Sequence, residues 1–448
     1  MLTYQLKKEP GLPLYEALYR CIREDIVTGQ LPPGTRLPSK RALSEHLKVS
    51  KITVEGAYNQ LLSEGYIRSR EKVGYFVESV ERPRAVTPPA PAPVPQNSPF
   101  RGGQFPFSVW SRLQREVMLD YREGLLRPMP NLGIYDLRLA ISRYLAAFRG
   151  MRVAPEQILV GAGTDFLYNL LIQLLGRDVA YAVEEPGYRK IRRIYAAGGV
   201  TTLSAPLDSQ GVRPDALGNA RVLHISPSHH FPTGLITPVS RRLELTAWAR
   251  SRGGWIIEDD YDTEFRFDAR PLPAMQTLAP DRVIYMNSFS KTLAPSIRIS
   301  YMVLPEGLMD RFQQQLGFYS CTVPSFEQYT LARFLSQGYF EKHLNRMRKF
   351  YRSRRNRMVS LVRGSDIARR LKLLEQDAGL HFLLNLDTGL TDEALQQQLT
   401  ARGIPIQTLS HFYHTPPEES THTLVVNYAE FGEDTMEELL DALKEILM

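Results

Sequence analysis

Residues 81–100 read ERPRAVTPPAPAPVPQNSPF, with prolines at 83, 88, 89, 91, 93, 95 and 99. Proline has no N–H to donate and its ring fixes φ, so this run can be neither a helix interior nor a central strand. It reads as an exposed, semi-rigid spacer between two folding units, with an irregular loop packed on one unit as the alternative. The spacer, taken as 81–104, separates a small unit at 1–80 from a large one at 105–448. A chain of 448 residues, 43% of them hydrophobic, has the material for a large core. No run of about 18 apolar residues occurs, which excludes a membrane-spanning helix. The opening MLTYQLKKEPGLPLY lacks the apolar stretch of a secretory signal. Cys21 and Cys321 stand alone, so neither a disulfide framework nor a cysteine zinc site is expected, and a reducing cytoplasm fits. A net charge of +7 permits a nucleic-acid partner without requiring one.

The small unit predicts three helices and a hairpin. Leu14 to Thr28 is apolar at 14, 18, 22 and 26 and is stopped by Gly29. Ser39 can cap a short helix ending at Leu47. Ser50 can cap a third helix with Ile52, Val54, Ala57, Tyr58, Leu61 and Leu62 facing inward. The run GYIRSREKVGYFV alternates around a turn and predicts a two-stranded wing. Two short helices across a tight turn, followed by a hairpin, make a winged helix-turn-helix, whose second motif helix enters the major groove N-terminus first. The DNA-facing candidates are therefore Ser50, Lys51 and Thr53, with Arg41 on the preceding helix and Arg70 and Lys72 on the wing. Solvated surface charge is the alternative.

The run LPSKRALSEHLKVSKITVEGAYNQLLSEGYIRSREKVGYFV closely resembles the winged-helix domain of GntR-family bacterial regulators. Lys51 stands where an arginine is common, and Glu55 and Gly56 occupy positions often basic in that family. Glu55 cannot favour a phosphate, which points to a modest head that binds well only when two are tied together.

From about residue 105, helical stretches alternate with the β-rich runs ILVGAG, VAYAVEE, RVLHISPS, GWIIEDD, RVIYMNS and ISYMVLP, the pattern of an α/β sheet. Four polar clusters follow strands. Gly161-Ala-Gly-Thr-Asp165 opens a helix, where glycine allows close approach and free N–H groups can hold a phosphate, although ordinary tight turns look the same. Tyr188, after Glu185-Pro186-Gly187, can stack on an aromatic ring or simply pack. Glu258-Asp259-Asp260-Tyr261 offers a carboxylate for a pyridine nitrogen and a phenol for a ring oxygen, or else a metal-binding or solvated acidic loop. No histidine flanks that run, so zinc and iron are discounted, magnesium is the alternative and no metal is assigned. Ser288-Phe289-Ser290-Lys291, with Arg298 seven residues on, places an amine beside a cation and hydroxyls. Such a lysine can lose its proton and form an imine, and the serines and arginine can donate to a phosphate.

In this order the clusters resemble the fold-type I pyridoxal phosphate (PLP) enzymes of the class I/II aminotransferase family. The resemblance implies an α/β PLP-dependent transferase fold with large and small subdomains, the small one at about 340–448. It also implies that Lys291 is the Schiff-base lysine, that Asp259 pairs with the pyridine nitrogen and that Tyr261 bonds the ring hydroxyl. Gly163, Thr164, Ser288, Ser290 and Arg298 would bind the phosphate, and Tyr188 would stack. Asp260 or Glu258 replaces Asp259 if the strand register differs. In SPSHHFPTG, residues 226–234, Phe231 holds the place of the family's asparagine, leaving His229 or His230 for the ring oxygen.

Head, spacer and body together resemble the MocR/GabR subfamily of transcriptional regulators. That resemblance implies a homodimer, head to tail, that binds operator DNA and senses PLP itself or an amine. An active aminotransferase with an auxiliary head is the alternative. The arginine that anchors a substrate carboxylate in that family falls at Val425, and no arginine follows Arg402. This speaks against ordinary transamination and toward the cofactor itself as effector, which would suit control of vitamin B6 genes. The eight basic residues from Lys342 to Arg357 read as a solvated helix face, with nonspecific DNA contact as the alternative.

Overall fold

The computed structural model describes residues 2–4, 6, 13–79, 105–267, 272–374 and 379–447. The chain forms two compact units, Met1–Gln96 and Asn97–Met448. The spacer expected at 81–104 lies outside the described residues.

The first unit is built by local signals. Helix α1 (Leu14–Thr28) buries Leu18, Ile22 and Ile26, and its chain leaves through Gly29 at φ 82, a left-handed turn that favours glycine. Helix α2 (Lys40–Leu47) starts where Ser39 accepts the Ala42 N–H, and α3 (Lys51–Ser63) where Ser50 accepts the Thr53 N–H. Strands β1 (Ile67–Arg70) and β2 (Gly74–Val77) pair antiparallel as the wing. Along α3, Val54, Ala57, Tyr58 and Leu61 are buried as expected and Leu62 is half-buried. Ile52 is not: it is 79% exposed. Its place two residues before Val54 turns it about 200° around the helix, away from the core. Gly56 faces Tyr15 of α1, where an added Cβ would come within 3.1 Å of the ring, so this position serves close helix packing.

The second unit carries an eight-stranded sheet made of β3 (Ile158–Gly161), β4 (Tyr181–Glu185), β5 (Thr202–Asp208), β6 (Gly211–Val212), β7 (Val222–Ile225), β8 (Trp255–Asp260), β9 (Val283–Ser288) and β10 (Ser300–Val303). Their order is β3-β10-β9-β8-β7-β4-β5-β6. Strands β5, β4, β7, β8 and β9 run parallel, while β10 is antiparallel to both its neighbours and β6 to β5. The six strands expected from the sequence are all present. A second, antiparallel sheet holds β11 (Leu371–Leu374), β12 (His381–Leu386), β13 (Gln407–Thr408) and β14 (Thr423–Asn427) in the order β11-β12-β14-β13. Among the described residues, no helix is long and apolar enough to cross a membrane.

The basic helix, Tyr339–Gly364, corrects the expectation of a solvated charged face. Lys342, Arg346, Lys349, Arg352 and Arg357 are exposed, but Arg354 and Arg355 are buried. Arg354 donates to the Phe431 carbonyl at 2.8 Å, Arg348 to the Glu264 carbonyl at 2.6 Å, and Arg355 lies over the Phe267 ring. Guanidinium groups carry several donors and satisfy carbonyls well, so cations on the packed side of this helix are held inside while the other five stay in solvent.

Removing one cap tests the local account of the head. Ser39→Ala should cost about 1 kcal/mol of head stability, read as a lower transition temperature of the first unit by calorimetry, with the body's transition unmoved.

Candidate cofactor site

The ends of the parallel strands bring the polar clusters to one edge of the large sheet, where an open α/β sheet binds its ligands. At the end of β8 three carboxylates follow one another, and strand alternation sends them to opposite faces. Glu258 accepts the N–H groups of Met275 and Gln276 at 2.8 and 2.9 Å. Asp260 pairs with Arg149 at 2.8 Å, both side chains essentially unexposed, and accepts the Tyr285 hydroxyl at 2.7 Å. These two acids are thereby committed to the interior. Asp259 points to the other face, where the Tyr168 hydroxyl donates to it and His224 Nε2 lies at 3.4 Å. Tyr195 in turn bonds His224 Nδ1 at 2.6 Å. Of the three acids, Asp259 alone faces away from Arg149 and is met by a buried Tyr168–His224–Tyr195 set.

Tyr261 stands beside His229, hydroxyl to Nδ1 3.3 Å. Burial, then the Asp262 charge, pushes the Tyr261 phenol well above its ordinary range, so it is a hydroxyl donor. His229 Nδ1 also meets Asp262 at 2.9 Å, and its Nε2 is buried without a partner. His230 is turned to Thr233 at 2.7 Å, and burial, then His229, holds its pKa down to about 3. Of the two histidines it is therefore His229 that reaches Tyr261. The acidic run has no histidine beside it in sequence, yet in space His229 and His381 both approach Asp262, their ligand-type atoms within 4.8 Å of one another. Phe231 packs edge-on against Tyr188, His381 and Phe412 and offers no polar group. Tyr188 keeps 51% of its surface exposed, as an aromatic awaiting a ring would.

Around the phosphate candidates the fit is steric as well as polar. Gly163, at φ 92, begins the helix Thr164–Leu175, and a Cβ there would lie 2.2 Å from the Arg298 guanidinium. Only glycine leaves the helix N-terminus and the arginine open to one anion. Ser288 donates its hydroxyl to Ser290 at 2.9 Å, keeping both side chains beside β9. Arg298 holds a left-handed backbone at φ 50, and its guanidinium lies 3.5 Å from Asp165, which also binds Lys190 at 2.7 Å. Lys291 Nζ lies 3.4 Å from the Glu430 carboxylate, which the turn after β14 delivers to it.

The geometry therefore brings together Lys291, Asp259, Tyr261, His229, Tyr188 and the Gly163–Arg298 cradle. It adds Tyr168, His224, Asp262, His381 and Glu430, which the sequence reading did not single out. A histidine interrupting the apolar strand VLHI was the one signal that pointed to His224. On the head, Lys51, Arg41, Arg70 and Lys72 are exposed. Ser50 spends its hydroxyl on the cap and on Thr53, Arg41 pairs with Glu45 at 2.9 Å, and Glu55 with Lys40 at 2.7 Å.

Comparison with known proteins sets these geometries in context. Residues 14–77 match the family of bacterial regulatory proteins, gntR family. The chain is 35% identical to the HTH-type transcriptional regulator YdeL of Bacillus subtilis, over 99% of this chain and 98% of that protein. It is 33% identical to the probable rhizopine catabolism regulatory protein MocR of Rhizobium meliloti, over 99% and 95%. It is 31% identical to the HTH-type pyridoxine biosynthesis transcriptional regulator PdxR of Corynebacterium glutamicum, over 95% and 94%. The body has the fold of LysN, the α-aminoadipate aminotransferase of Thermus thermophilus, solved with N-(5'-phosphopyridoxyl)-L-leucine. The TM-score is 0.65 at 25% identity, covering 76% of this chain and 89% of that one.

Two outcomes test the site. Gly163→Ala adds a Cβ against Arg298 at a backbone angle that costs a non-glycine residue on the order of 1–3 kcal/mol, and should weaken phosphopyridoxal binding, followed by absorbance titration, with circular dichroism unchanged. His230 stays neutral in the fold, so its contribution to stability is complete above its ordinary value of 6.5 and is lost as pH falls toward about 3. His230→Gln should flatten the acid-side loss, measured by urea unfolding, by up to about 1.4 kcal/mol per pH unit.

Proposed function

This chain belongs to the HTH-type transcriptional regulators that join a GntR head to an aminotransferase-like body, and from that premise we propose that its body holds PLP and uses it to control DNA binding. The observation that carries the reading is that relatives match head and body together along nearly their whole length.

When bound, the cofactor would supply an aldehyde that reacts with amines and a ring that withdraws electrons. Lys291 is the amine placed to hold that aldehyde. Asp259, kept in place by Tyr168 and His224, is the carboxylate for the ring nitrogen. Tyr261 and His229 serve the ring oxygen, Tyr188 covers the ring, and Gly163, Thr164, Ser288, Ser290 and Arg298 take the phosphate. Arrival of a phosphate would draw Arg298 from Asp165, and engagement of Lys291 would release Glu430, so occupancy changes two ion pairs of the site. A ligand acts only through its different affinity for two conformations, and these exchanges give the body such a difference.

The effector is PLP itself or an amine that reaches it. The name of the relative PdxR favours the first, as does Val425, which is buried in β14 opposite Leu383 and Gln407 and cannot anchor a carboxylate. Two copies joined through the body would present two heads to one operator, head to tail. The exposed Phe107, Leu119, Leu126 and Phe318 of the body are apolar surface that such a partner would cover. The second reading, an active aminotransferase, is favoured by Lys291, Asp259 and Tyr261 and opposed by Val425.

Binding to the DNA upstream of the protein's own gene, measured with and without PLP, tests the proposal. A change of affinity with PLP supports the cofactor as signal, and Lys291→Ala should abolish both covalent attachment and the change. Attachment surviving in Lys291→Ala would sink the assignment of the lysine. DNA affinity indifferent to PLP would direct the search to an amine.

A further inference from the structure

Of the large apolar side chains among the described residues of the first unit, Ile52 is far the most exposed, at 79%, against 46% for Val73 and 41% for Tyr15. A single apolar residue on a surface ordinarily carries no meaning. This one occupies the second position of α3, the helix that follows the turn of the helix-turn-helix. Helical side chains lean toward the N-terminus, so a residue in this first turn extends beyond the end of the helix that enters the groove. Ile52 cannot turn to the core, because Val54, Ala57, Tyr58 and Leu61 fix the buried face on the opposite side.

The polar residues around it have other partners. Ser50 Oγ accepts the Thr53 N–H at 3.1 Å and lies 2.8 Å from Thr53 Oγ1. Glu55 is held by Lys40 at 2.7 Å. Lys51 is a long exposed cation suited to phosphate, and Lys48 sits exposed in the preceding turn. The first turn thus has no Arg, Asn or Gln with which to make a bidentate pair to guanine or adenine. What it presents at its tip is a branched hydrocarbon, with two exposed lysines, Lys48 and Lys51, close in the chain. In the major groove the one apolar feature on a base edge is the 5-methyl group of thymine. We propose that Ile52 reads the 5-methyl group of a thymine in each half-site, while the surrounding lysines hold the backbone.

The test uses the full chain and the DNA upstream of its own gene, the protected site being mapped by footprinting. If that fragment is not bound, a site selected from random duplexes replaces it. Each thymine of the site is exchanged singly for deoxyuridine, which removes the methyl and nothing else. The wild-type protein should lose about fourfold in affinity at one thymine per half-site, the factor for burying one methyl-sized group. Ile52→Ala, whose side chain touches no core, should melt like the wild type, bind the thymine site more weakly, and show no further loss with deoxyuridine. Val73→Ala, changing the wing instead, should keep the wild-type sensitivity. Equal losses in wild type and Ile52→Ala at every thymine, or no loss at any, would overturn the proposal. All of these affinities are compared at one fixed PLP concentration, so the cofactor reading stands or falls separately.

Discussion

The end of β8 places three carboxylates in succession where the chain has no room for three free charges. Burying an ionised carboxylate without partners is prohibitive, so each must find its own. Strand alternation divides the problem. Glu258 and Asp260 turn to one face and are met by two backbone N–H groups and by the Arg149 guanidinium. Removing one member of a buried ion pair typically costs 3–5 kcal/mol, so Arg149 and Asp260 are tied to the fold itself. Asp259 turns alone to the other face and meets the Tyr168 hydroxyl and the His224 ring. Burial holds the Tyr168 phenol well above its usual range, so it donates to the acid without competing for its charge. Asp259 is left to that face because its two neighbours are committed elsewhere.

A similar division governs the opposite end of the site. Arg298 and Lys291, read together as a lysine beside a cation, are each met by an acid from a different part of the chain. Asp165 comes from the first turn of the helix Thr164–Leu175, and Glu430 from the turn after β14. A phosphopyridoxal ligand would compete with both acids, which makes its binding an exchange of ion pairs rather than a simple addition. Such exchanges are the kind of change that a binding protein can transmit, because each acid is attached to a different segment.

Where the sequence was legible, a local rule was in force. The helices of the head begin at Ser39 and Ser50 and end at Gly29 because caps act within one turn. Six strands of the large sheet were visible as apolar runs, and the Gly163 turn as a glycine before a helix. Ile52 was misread because apolar character was weighed ahead of its angle on the helix. The basic run at 342–357 was misread because composition does not say what a helix packs against: Arg348 and Arg354 donate to the Glu264 and Phe431 carbonyls, and Arg355 lies over the Phe267 ring.

By itself the sequence determined the two-part plan, the winged helix and the order of the four polar clusters. All of these depend on residues close to one another along the chain. Only the tertiary structure decided which of three consecutive acids faces the site, which of two histidines meets Tyr261, and that Glu430 lies against Lys291. It also gathered His229 and His381 around Asp262, which are far apart in sequence. These outcomes depend on strand facing and on contacts between distant segments, and no local periodicity encodes where a distant segment will come to rest.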